Sequence, residues 1–547
     1  MTNLYAFHAK LCATLMLTVF AGSAFADDKP LYQRIDELIA AKTPDFSQLA
    51  APIATDEEFL RRIYLDLTGT IPSVKEARAF LQDKSPKKRE KLIDKLLASA
   101  QFGYHMADVF DVLLIERRTD RLVNQGTWNT YLRTSFAKNK PYDQLVSEIL
   151  AADGFEKNSI APSKFYLSRN GEPHQITKDV SRLFLGMNLQ CAQCHDHPLV
   201  KAYRMDHYYG IFAFYNRSYI FNDRSRKRSV YAEKAIGEVS FESVFDPTVK
   251  KSTGPRLPDG MPIKEPKLPQ DKQYIKAPGK KQAGIPKFSR RDQISKLLAS
   301  KGNERFRRAA ANRFWALLMG RGIVHPVDFD HPENPPSHPE LLDLLASEFA
   351  SMDFDIKSFL KQLTLTKTYQ RSSQMPTGKP IPSDSTFALA QLRPLSPEQL
   401  AWTTMQATGL TDVEVSRLGK KVTEAAVRAR LGRNVGSFVR VFGGQPGDPA
   451  DLGFQATLDQ TLFIRNGPTI RGWLAPRTGT LTSRLLKLKN HDAIAEELFL
   501  SILTRRPTAA EKQYVTVFLK RNPSNRSQAF QEMAWALIAS AEFRFNH

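Results

Sequence analysis

The chain has 547 residues, 42% of them hydrophobic and 25% charged, with 78 Lys and Arg against 57 Asp and Glu and a formal net charge of +21. That length allows two to four domains with ample chain for buried cores. The charge points either to anionic partners (sulfated or uronic glycans, lipid headgroups, nucleic acid) or to a solvated basic surface. No apolar run after the first 26 residues is long enough for a membrane-spanning helix.

Residues 1–26 read as an export signal. Lys10 supplies the positive end, LCATLMLTVFAG the apolar run, and Ala24-Phe25-Ala26 a small-x-small cleavage site. Cleavage removes Lys10 and leaves a net charge of +20, and it removes Cys12, leaving two of the three cysteines. The expected location is the periplasm or another exported compartment, which argues against nucleic acid as a partner. The mature chain is expected to be soluble, with no transmembrane segment.

Residues 30–221 read as a helical domain. Thr55 and Glu58 form a capping box before FLRRIYLDLTG, with Gly69 at the C-cap, and Pro72 opens the helix KEARAFLQD. WNTYLRTSFAKNKPYDQLVSEILA divides into two helices at Pro141. In ITKDVSRLFLGMNLQ, Val180, Leu183, Phe184 and Met187 share one face, and continuing that spacing would carry Cys191, Cys194 and His195 along the buried face of the same helix. Residues 222–290 are rich in Lys, Arg, Pro and Gly and read as a basic linker, with a short strand over GEVSFESVF at 237–245. Residues 291–547 return to helical patterning, with capping boxes expected at Ser337/Glu340, Ser396/Gln399 and Thr508/Glu511. The fold class is mainly α: two helical domains about the linker.

The stretch Cys191-Ala-Gln-Cys194-His195 carries the chemistry. CxxCH is the haem c attachment pattern. Two closely spaced thiols form thioethers to the porphyrin vinyl groups, and the histidine directly behind them becomes the axial iron ligand. Candidates for the sixth ligand are His174, Met205 and His207, with Met187 read as core and His197 as too near in sequence to reach the opposite face. The alternative is zinc, held by Cys191, Cys194 and two of His195, His197 and His207, or a plain Cys191–Cys194 disulfide.

FLRRIYLDLTGTIPSVKEARAFL, KNKPYDQLVSEILAADG and SRLFLGMNLQCAQCHDHPL resemble the planctomycete-type cytochrome-c-like domain. AAANRFWALLMGRGIVHPVDFD, NPPSHPELLDLLASEF, FDIKSFLKQLTLTKTYQRSS and AWALIASAEFRFNH resemble the domain of unknown function to which it is usually fused. The resemblance spans nearly all of the mature chain. It implies an exported protein with haem bound at Cys191, Cys194 and His195, no assigned activity, and a link to sulfated or complex glycans. Asp196 and Leu199 stand where members often have a histidine and an aromatic. The expected function is therefore electron transfer or haem-dependent redox chemistry, with a redox partner protein and an anionic glycan as candidate partners. A non-haem periplasmic binding or scaffold protein is the alternative, and if the protein is an enzyme it is expected to be a haem-dependent oxidoreductase.

Elsewhere, Asn312, Arg313 and Trp315 read either as an anion site or as a helix-packing network, and His338 as structural. His325, Asp328, Asp330 and His331 form a polar loop with metal-ligand residue types. Asp66, Asp111 and Glu116 have no evident partner, so no acid–base pair is assigned, and there is no GxSxG, P-loop or HExxH motif.

Overall fold

The computed structural model describes residues 29–119, 122–258, 260–445, 447 and 457–547. The expected export signal, residues 1–26, lies outside the described residues. The architecture is mainly helical, as expected, with sheets of only two strands each. Among the described residues no helix is long and apolar enough to cross a membrane.

Helix α1 spans Asp56–Thr68. Thr55 caps its start by accepting the Glu58 amide, and Gly69, at φ +71°, ends it. The Glu58 carboxylate does not close the box. It takes Arg62 and Ser372 instead. Ser73, not Pro72, opens the next helix, α2 (Val74–Gln82), with a complete capping box to Glu76. Then follow α3 (Ala100–Ile115), α4 (Gln125–Ala137), α5 (Tyr142–Ala151), α6 (Pro173–Leu185) and α7 (Met205–Phe212).

Residues 218–286 make three antiparallel hairpins: β1 (Ser218–Asp223) with β2 (Arg228–Glu233), β3 (Val239–Ser243) with β4 (Asp246–Thr253), and β5 (Tyr274–Lys276) with β6 (Ile285–Pro286). The second half holds α8 (Glu304–Met319), α9 (Pro339–Ser351), α10 (Pro397–Ala407), α11 (Glu424–Leu431), α12 (Pro468–Leu474), α13 (His491–Leu503) and α14 (Ala509–Arg521). Capping boxes form at Ser396/Gln399 and Thr508/Glu511. None forms at Ser337, whose hydroxyl donates to the Ile323 carbonyl; His338 is the N-cap residue there.

Two hydrophobic cores result, and neither follows chain order. The first joins residues 31–231 to 294–388 and Leu500, and the second joins other residues of 395–543 to Leu65 and Ile71 from around α1. Because α1 sits between the cores, its polar residues face inward and need partners. Asp66, 5% exposed, accepts from both sides of its carboxylate: Arg393 reaches Oδ1 and Oδ2 at 2.8 Å, Tyr369 donates at 2.8 Å, and Asn546 donates at 2.7 Å. Arg393–Pro394 (β7) pairs antiparallel with Phe545–Asn546 (β8) at the same place. Arg61 donates to the carbonyls of Ile502 and Phe543, and Arg62 to those of Tyr369 and Arg371.

A second buried cluster lies under α6. Asp179 accepts from Arg169 at 2.6 Å, Glu116 meets Arg118 and Arg182, and Asp328 meets Arg182 and Arg313. Asp111 accepts the Trp128 indole N–H at 2.8 Å. All three carboxylates left without partners by the sequence are thus interior acceptors. Burial pushes the Asp179 carboxyl up, but Arg169, Arg182 and Arg118 outweigh it and bring it to about 2, from an ordinary 3.8. Glu116 moves the other way, because burial exceeds the pull of Arg182 and Asp179 repels it. Two carboxylates sharing one cationic pocket titrate apart.

Two outcomes follow. Asp66→Ala leaves Arg393 without its counter-charge and should cost about 3–5 kcal/mol in urea unfolding. A depressed carboxyl contributes stability that is fully present above its unfolded pKa and is lost as pH falls through the folded one. Stability should therefore decline from pH 3.8 toward about 2, and Asp179→Asn should flatten that decline in urea melts across the interval.

Candidate functional site

Helix α6 does not run into the CxxCH motif. It ends at Leu185, where Gly186 adopts φ +66°. An added Cβ there would meet Ala309 and Asp330 at ordinary contact distances, so backbone conformation rather than space selects glycine. The next residues pair with the loop before α9: Asn188 donates to the Asp328 carbonyl, Asp330 to that of Gly186, and Met187 bridges Phe329. Met187 is fully buried core.

The motif itself forms a single 3-10 turn, Cys191–Gln193, in which the Cys194 and His195 amides both donate to the Cys191 carbonyl. Its inward anchor is Ala192, at 0% exposure, while Cys191 and Cys194 are exposed free thiols. The expectation that the cysteines and His195 extend a buried helix face is therefore wrong. Once Gly186 stops α6 the helical spacing no longer applies, and the turn directs both thiols outward.

His195 donates from Nδ1 to the Asp196 carbonyl at 2.8 Å, and its Nε2 has no partner among the described residues. Its ring lies 5.1 Å from that of Phe245. Phe245 and Val244 form the tip of the β3–β4 hairpin, and the Val244 amide donates to the Cys194 carbonyl at 3.0 Å. Beneath them Tyr209 of α7 stacks on Phe241 at 4.4 Å and donates to the Gln193 carbonyl at 2.9 Å. Leu199 and Phe245 are each 80% exposed and Val244 61%. Phe245 and Val244 thus stand beside the motif at the hairpin tip, and Leu199 is exposed in the loop that follows it. The alternation of GEVSFESVF marks the strand, but nothing in the sequence shows that its tip folds back onto residues fifty positions earlier.

The other histidines have different duties. His197 Nδ1 accepts the amides of Leu199 and Val200, so its lone pair is spent on holding the loop. Burial, with His331 and His195 nearby, lowers its pKa. His207 is buried, with Nδ1 on the Ala202 carbonyl and Nε2 beside the Arg204 guanidinium. These bonds leave neither ring a free lone pair to complete a zinc set with the cysteines, and among the described residues no three of His, Cys, Asp or Glu stand where they could hold a metal.

His174 bonds the Tyr208 hydroxyl at 2.8 Å, and burial lowers its pKa. Met205 is buried, and its amide is capped by the Asp196 carboxylate at 2.7 Å, so the departure at 196 serves the start of α7. The loop before α9 holds no metal set: Asp328 and Asp330 are bound to arginines, and His331 packs on Tyr203. Asn312 closes a loop through both the amide and the carbonyl of Val324, Arg313 meets Asp328, and Trp315 is core. His338 is buried beside Phe387, and burial brings it to about 4.

Residues 34–219 match the family model PSCyt2, described as a protein of unknown function (DUF1549). Residues 290–439 match PSD1, also described as a protein of unknown function (DUF1553). The chain has this two-domain arrangement. No curated protein and no solved structure matches it. The first match contains the CxxCH turn, and the second crosses from the first hydrophobic core into the second.

Exposure of both thiols has a direct check. In chain produced without haem, iodoacetamide should modify Cys191 and Cys194 without denaturant, read by mass spectrometry; a thiol that reacts only after unfolding would contradict the outward turn.

Proposed function

We propose that this is an exported, periplasmic c-type haem protein. In this reading Cys191 and Cys194 hold the porphyrin through thioethers, and His195 is the proximal iron ligand. The observation that carries it is the donor set: two outward free thiols one turn apart, and an imidazole whose Nδ1 proton is held by a backbone carbonyl while Nε2 is unpartnered. A second hydrogen bond of that kind fixes the tautomer and orients a metal-binding histidine. The exposed hairpin tip, Val244 and Phe245, offers apolar surface beside His195 of the kind a flat macrocycle covers. Haem supplies a one-electron couple, and the residues around it set its burial and hydrogen bonding, hence its potential. The role is electron transfer or haem-dependent redox chemistry, with a partner protein to exchange electrons.

The test is expression of the full chain in a host with haem c maturation machinery, followed by a denaturing gel stained for haem. A stained band is expected, lost in Cys191→Ala/Cys194→Ala and retained in His195→Ala with an altered visible spectrum. No stain from folded wild-type chain would overturn the proposal, and zinc content and a Cys191–Cys194 disulfide would then be assayed.

A further inference from the structure

Most buried arginines of this protein are consumed internally. Arg61, Arg62, Arg169, Arg217, Arg290 and Arg291 each reach carbonyls or carboxylates. One cleft instead gathers exposed arginines. It opens between α11 and the loop after α12, has a volume of about 500 Å³, and is lined by four arginines against one carboxylate.

Arg417 and Arg430 flank that carboxylate, Glu414, at 2.7 and 3.6 Å. Arg433 and Arg477 have no carboxylate partner among the described residues. Arg433 stands on the 3-10 turn Gly432–Asn434, and Arg477 is steadied by donating to the Gly472 carbonyl at 3.0 Å. Trp473 lies along the wall, 8% exposed and stacked on Phe438 at 6.1 Å. The lining carries a net charge of +3, four guanidiniums less one carboxylate.

Like charges gathered without counter-charge repel one another, at an energy that falls when an anion joins them. Guanidinium forks match the paired oxygens of sulfate, phosphate and carboxylate. Pockets of this volume take small ligands or a short segment of a polymer. We infer that this cleft, separate from the CxxCH turn, is a binding site for a ligand carrying two or more oxyanion groups, with Arg433 and Arg477 as its principal contacts. All four arginines are exposed, Arg417 and Arg430 at 60% and 55%, so each adds only a screened attraction, and affinity comes from several contacts at once. Binding should weaken as ionic strength rises.

The experiment is calorimetric titration of the full chain with four probes: inorganic sulfate, inorganic pyrophosphate, tetragalacturonate and a heparin tetrasaccharide. Each is run at about 0.02 M and 0.15 M ionic strength, and the pattern across probes separates sulfate, phosphate and carboxylate sources. Arg433→Gln/Arg477→Gln should lose tenfold or more in affinity. Lys520→Gln/Arg521→Gln, an equal charge change at the exposed end of α14, should change it less than twofold. In wild-type chain the bound probe should also protect Arg433 and Arg477 from phenylglyoxal, read by mass spectrometry, which needs no variant to fold. Equal losses in both variants, no protection, or no binding of any probe at low salt would overturn the site.

Discussion

Asp66 is the point at which the ends of this fold are tied. Its carboxylate gathers a guanidinium from β7, a phenol from Tyr369 of the first core and an amide from β8. Those donors lie more than 300 residues away along the chain, so their contribution depends on both cores being formed. The same helix sends Leu65 into the second core while Ile63 and Leu67 enter the first. A carboxylate so placed would be costly alone, and its three donors are what make the position tenable.

That organisation explains how the candidate site is held. The CxxCH turn belongs to no helix or strand of its own. It is positioned from behind by the pairing of residues 186–188 with 328–330, from beneath by α7, and from one side by the β3–β4 hairpin. Ala192 is the one residue of the turn driven into the core. Thiols and imidazole are therefore presented on a rigid base without being buried by it.

Much of this was legible in the sequence. Helical periodicity, Gly69, Pro141 and the boxes at Ser396 and Thr508 are local signals, and local hydrogen bonds answer them. The CxxCH spacing pointed to the residues of the candidate site. The failures share a cause, competition from partners outside the local pattern. Glu58 abandons its cap for Arg62 and the distant Ser372, and Ser337 for the Ile323 carbonyl. Helix α6 stops because Gly186 turns toward a loop about 140 residues downstream. Asp66, Asp111 and Glu116 look idle until the elements that supply their donors have packed. The hairpin tip over His195 is of the same kind.

The β3–β4 hairpin has a second consequence. Residues Asp246–Val249 and the two lysines after them, Lys250 and Lys251, are all exposed along β4, which among the described residues has no strand on its outer side. A bare strand edge invites another chain to add itself, and lysine on such an edge raises the electrostatic and desolvation cost of that addition. Part of the basic charge of the 222–290 segment thus acts between molecules of the same kind. It raises the cost of a second copy adding itself to the β4 edge.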